Sequence, residues 1–194
     1  MEKKTMKNNI VLIIIALIIV ACFAYLSNRS KSSAERPAVL TAVQSVLARD
    51  MNTNYPPTPK EVLKYYSEIT RCFYGETYTE EELLELAEKS RELFDEELVA
   101  NQTDEEYFQS LRRTIASYKK EKRSISSYSV SSSANVKYYN YEGAQWATLN
   151  CIYSMKTENT IVPSQEEFLF RKDAEGRWKI FGWQLVENEE NANE

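Results

Sequence analysis

The groups in this chain with the capacity for chemistry are carboxylates and tyrosines: 29 Asp or Glu and 13 Tyr stand among 194 residues that include no histidine. Imidazole is the commonest general base near neutral pH and the commonest transition-metal ligand. Neither a Ser-His-Asp nor a Cys-His arrangement can therefore be assembled from this chain. An acid/base site would have to set a carboxylate against a tyrosine hydroxyl. Glu166 and Glu167, in "QEEF", are candidate carboxylates, but spacing selects no pair and so no catalytic residue. CxxC, HExxH, P-loop, dinucleotide and calcium-loop patterns do not occur. No metal and no cofactor is expected.

The second chemistry on offer is recognition. Tyr138, Tyr139, Tyr141, Trp146, Tyr153, Trp178 and Trp183 crowd the second half of the chain, and each has an apolar body with a polar handle suited to a half-wet surface. On one face of a sheet such residues are core; on the other they line a ligand pocket or a partner surface. Two readings are open for Cys72 and Cys151. In an oxidising exterior they pair, closing a loop of about 79 residues for roughly 4 kcal/mol; otherwise both are buried thiols.

Where these groups work is set by the N-terminus. Residues 10–26, "IVLIIIALIIVACFAYL", carry no charge and no proline, and as a helix they measure about 25 Å, at the short end of a bilayer span. Lys3, Lys4 and Lys7 hold residues 1–9 on the cytoplasmic side. The expectation is a single-pass cell-membrane protein: a transmembrane helix over 10–26, a polar linker over 27–36, and an extracytoplasmic domain beyond. Two alternatives stay open, a cleaved signal and a lipoprotein acylated at Cys22, since "IVAC" looks like a permissive lipoprotein signal. Each puts residues 34–194 outside the cytoplasmic membrane. That part carries a net charge of −9, which disfavours phosphate backbones, so nucleic acid is not an expected partner.

The elements that must position these groups change character midway. A helix is predicted from about Pro37 to Met51. Three Thr/Glu capping boxes, at Thr58/Glu61, Thr79/Glu82 and Thr103/Glu106, predict three more. The second of these is read as running through "EEELLELAEKSRELFDEELV", and Gly75 ends the first. Beyond Arg123 the period shifts toward two. Strands are predicted near Ser124–Ser131, in "NVKYYNYE", in "WATLNCIYSM" with Ala147, Leu149, Cys151, Tyr153 and Met155 on one face, and in a closing hairpin turned by "DAEG". Helices followed by strands make residues 37–186 one α+β domain, with three or four helices on a four- or five-stranded antiparallel sheet. The acidic end, 187–194, is expected to be disordered.

The closing hairpin "EEFLFRKDAEGRWKIFGWQLV", residues 166–186, with helices before it, resembles the nuclear transport factor 2-like superfamily, whose cystatin-like fold wraps a bent sheet into a cone. The segment "VLARDMNTNYPPTPKEVLKYYSEITRCFYG", residues 46–75, is similar to the N-terminal signature of an uncharacterised family of small membrane-anchored proteins from Gram-positive bacteria. The resemblance implies a cone that serves binding in some members and isomerase or dehydratase chemistry in others. The expected function is a non-catalytic binding or scaffolding domain, tethered to the cytoplasmic membrane, that meets an envelope protein or a second copy of itself. The alternative is a small-molecule pocket or an enzyme using a carboxylate and a tyrosine in the cone.

Overall fold

Four helices begin on a threonine whose hydroxyl accepts the N–H of the residue three positions on. These are Thr41 from Gln44 at 3.1 Å, Thr58 from Glu61 at 3.2 Å, Thr79 from Glu82 at 3.1 Å, and Thr103 from Glu106 at 3.2 Å. Each cap satisfies a donor that the helix cannot, worth about 1 kcal/mol. The computed structural model describes residues 40–186. The apolar segment with Cys22, the linker 27–36 and the acidic end 187–194 lie outside them. Among the described residues no helix is long and apolar enough to cross a membrane.

The helices are α1 (Ala42–Leu47), α2 (Pro59–Gly75), α3 (Glu80–Glu92), α4 (Glu96–Ala100) and α5 (Asp104–Lys120). The strands are β1 (Ser124–Val130), β2 (Lys137–Tyr141), β3 (Ala144–Lys156), β4 (Ile161–Lys172) and β5 (Trp178–Leu185). The fold is α+β with one antiparallel five-stranded sheet. Its order is β1-β3-β4-β5, and β2 shares with β1 the same side of the long β3. The registers Leu149↔Phe168, Ala147↔Phe170 and Phe170↔Ile180 bring one set of alternating side chains onto an inner face. There Ala147, Leu149, Cys151, Tyr153, Phe168, Phe170 and Ile180 are buried against Val62, Leu63, Ile69 and Cys72 of α2.

The structure corrects the sequence reading in three places. The first helix within the described residues is only the six residues of α1, because the unforeseen capping box of Thr41 and Gln44 starts it late. Thr58 caps α2 without the reciprocal Glu61 contact, so that box is half made. The helix read through Val99 breaks after Glu92, so that five helices stand among the described residues where three or four were expected. Leu93 and Asp95 leave it to bond β5, with Ile180 N–H donating to Leu93 O and Asp95 N–H to Ile180 O, both at 2.8 Å. The Asp95 carboxylate then accepts from Glu97 N–H and starts α4.

Candidate functional site

The seven aromatic residues singled out by sequence divide into three groups. Tyr153 is core: it points inward from β3, and its hydroxyl shares a hydrogen bond of 2.9 Å with Ser67. Trp183 also lies on the inner face but is 44% exposed, closing a ring cluster with Tyr66, Phe94 and Phe168 at centroid distances of 5.8–6.0 Å. The remaining five, Tyr138, Tyr139, Tyr141, Trp146 and Trp178, gather where β2 pairs with β3 and Tyr138 meets Trp178 of β5.

In that corner Trp146 points to the outer face, opposite Arg171 of β4. A bulge explains what packs on it. Leu169 pairs with Gly182 while Phe170 pairs with Ile180, which leaves Phe181 as the extra residue and brings its ring 5.0 Å from Trp146. Arg171 lies over both rings, at 5.6 and 5.2 Å. The guanidinium is held from behind by the buried Asp95, with Nε donating to Oδ2 at 2.9 Å. These contacts raise the Arg171 pKa, the Asp95 hydrogen bond being the main cause. Trp146 donates its indole N–H to Tyr141 O at 3.1 Å. Neither Phe181 nor Asp95 was legible as part of this corner, since one is placed by a bulge and the other by a break in a helix.

Trp146 and Trp178 are thus buried supports, and β2 is the strand they present. Tyr138, Tyr139 and Tyr141 are 59%, 44% and 57% exposed, and all five residues of β2 are exposed. Tyr138 packs on Trp178 at 5.7 Å. Two hollows flank Tyr139. One of about 320 Å³ is lined by Thr148, Glu167, Leu169, Trp183 and Gln184; one of about 330 Å³ is lined by Tyr138, Asn140, Gln145, Trp146 and Trp178. The outer face of β3, β4 and β5 continues from there, half exposed along Thr148, Asn150, Leu169 and Gly182.

The candidate carboxylates separate by face. Glu167 is outward, where Gln184 donates to it at 3.3 Å. Glu166 is inward, opposite Cys151 and Leu185, and burial pushes its carboxyl above the usual Glu range. It shares that face with Tyr153, but Tyr66, Phe168 and Trp183 fill the space between strand and helix with touching rings. Cys72 and Cys151 are free and fully buried. Burial raises the Cys72 thiol to about 11, and Cys151 lies 3.4 Å from the Ser67 hydroxyl. A larger hollow of about 660 Å³ beside β5 contains Arg171, Lys172, Arg177 and Lys179. Its cations are engaged internally: Arg177 pairs with Asp173 at 3.0 Å, and Lys179 donates to the backbone carbonyl of Glu92 at 2.6 Å. Among the described residues no group of three acidic or cysteine side chains could hold a metal ion.

A family model described as a domain of unknown function (DUF6715) matches residues 1–183. No curated protein matches the chain.

Proposed function

This chain belongs to the family of the domain of unknown function DUF6715, and from that premise we propose that it is a membrane-tethered binding or scaffolding domain that recruits a protein partner in the cell envelope. The carrying observation is the aromatic corner and the outer sheet face that runs from it. The chain sets exposed tyrosines on a framework of Trp146, Phe181 and Arg171, and leaves the face beside them half open. Aromatic residues on a rigid support are what protein interfaces use as anchors. The order of helices, strands and final hairpin supports a nuclear transport factor 2-like form. Its inner face is packed rather than hollowed at Phe168 and Phe170. The family match runs from residue 1 through most of β5, which supports treating the apolar segment and the sheet as one working unit. In this reading the unit belongs to a Gram-positive cell, with its N-terminus cytoplasmic and its sheet outside.

A photo-crosslinking residue at Gln184, on the rim of the 320 Å³ hollow, tests the surface in the native host. An envelope protein captured from position 184, and not from Glu88 on the exposed side of α3, is the expected result. Equal background from both sites would end the reading.

One observation favours a second reading, a pocket enzyme using Glu166 with a tyrosine. Glu166 holds its proton unusually well for a carboxylate and shares the inner face with Tyr153. Such an enzyme needs space beside Glu166 for a substrate, and the rings of Tyr66, Phe168 and Trp183 occupy it.

A further inference from the structure

We propose that the edge of β2 left unpaired among the described residues is where a second copy of this chain adds its own β2, antiparallel, so that two sheets join into one. The proposal rests on the reading above of the aromatic corner as a recognition surface, and gives its edge, rather than its face, to self-association.

The sheet treats its edges unequally. Strand β5 is closed by the Leu93–Asp95 segment through the two 2.8 Å bonds to Ile180, and is bent by the bulge at Phe181. Strand β1 is interrupted by a register shift between Ile125 and Ser127. Bulges and covering segments are two of the guards against edge-to-edge pairing. Among the described residues strand β2 has none of these: its register runs unbroken from Lys137↔Thr148 to Tyr141↔Ala144, it contains no proline, and every residue is exposed.

The turn fixes which backbone groups are unpaired. Glu142 and Gly143, at φ +50° and +77°, form the two-residue turn that joins β2 to β3. The flanking pair Tyr141↔Ala144 therefore exchanges hydrogen bonds, and with it the alternate residues Tyr139 and Lys137. Tyr138 and Asn140 turn their N–H and C=O groups outward. In an antiparallel partner only outward residues can lie opposite outward residues. The register centred on Tyr139 satisfies this, setting Tyr138 against Asn140 of the second copy and the reverse, with both pairs exchanging two bonds.

Side chains agree with that register. On the outer face Tyr139 meets Tyr139 of the second copy, an aromatic cross-strand pair. Lys137 meets the ring of Tyr141 of the second copy. The strand carries one cation at its start and one carboxylate, Glu142, just past its end, so reversing a copy brings opposite charges alongside each other despite the net acidic chain. The paired sheets would also set two outer faces side by side, offering an envelope partner two equivalent sites.

The test uses the full chain in native membranes carrying Tyr139→Cys, under mild oxidation, read on a non-reducing gel. A directly opposed non-hydrogen-bonded pair has a Cα separation of about 4.5 Å, within disulfide reach. Expected is a disulfide dimer as the main species. Tyr138→Cys, whose opposite residue is Asn140, should stay at the level of the unsubstituted chain. Adding Asn140→Pro, which removes an outward donor while sparing the bonds to β3, should return the Tyr139→Cys dimer to that level; Lys137→Glu, which leaves the backbone intact, should reduce it several-fold. Three outcomes overturn the proposal in a chain whose core resists protease: no dimer from Tyr139→Cys, equal dimer from Tyr138→Cys, or a dimer indifferent to both Asn140→Pro and Lys137→Glu. A different protein trapped at position 139 also overturns self-pairing and leaves recruitment standing. A Tyr139→Cys dimer without a Gln184 crosslink does the reverse.

Discussion

At Glu166 burial works against charge. The folded chain holds the proton of this carboxyl more tightly than a solvated glutamate does, and desolvation is the cause. A raised folded pKa contributes stability fully below the ordinary glutamate value of about 4.3, and that contribution is lost as pH rises through the folded value. At neutral pH the ionised group is therefore a liability. Glu166→Gln should melt at a higher temperature than the unsubstituted chain at pH 7, with the gap closing below about pH 4, as followed by circular dichroism. A gap that stays constant across that range would show that titration of Glu166 is not its source. Arg171 is the opposite case, a charge held by the carboxylates of Asp95 and Glu97 with two rings beside it. In the sequence it is one more basic residue in a strand, and its partner Asp95 lies 76 positions away. Local pattern carries no information about such a pairing.

Among the elements, α2 and β1 approach more closely than any periodicity could indicate. Gly75 does close α2, as the sequence predicts, but the backbone need there is space: a Cβ at this position would lie 2.5 Å from Ile125 O. Helix propensity alone favours Gly75→Ala by up to about 1 kcal/mol. Forcing the backbone of β1 to retreat costs about 1–3 kcal/mol, so the steric effect decides. Urea denaturation of Gly75→Ala should show a net loss of about 1–2 kcal/mol; a gain would mean that β1 moves freely. Helix starts were legible because capping is local, a threonine and its third neighbour at Thr79 and Thr103. The alternation in β3 was legible for the same reason. The break after Glu92 was not, because "ELFDEEL" has continuous helical character and only the distant Ile180 draws Leu93 and Asp95 away. In the aromatic corner the tyrosines of β2 were recognisable by type. Their division into exposed strand and buried support was not, since Trp146 and Trp178 are buried by Phe181 and Tyr138 across strands.

For the whole molecule, the proposed placement makes the domain and its tether separable by mass. The uncleaved-anchor reading expects the full-length chain in membranes of the native host, with the domain digested by protease added to intact spheroplasts. A mass beginning at Cys22 with added acyl chains would establish the lipoprotein, and a soluble shortened chain the cleaved signal. Protection from external protease would place the domain inside and end the envelope reading altogether. The same domain also carries its own optical probe. Two of its indoles, Trp146 and Trp178, are sheltered beneath β2, and the third, Trp183, faces water at the far side of the ring cluster. A collisional quencher therefore dims one emitter and spares two. Occupation of the β2 edge alters the surroundings of the spared pair, while a ligand settling over the inner cluster alters the quenchable one, so steady-state fluorescence tells the two surfaces apart without a label.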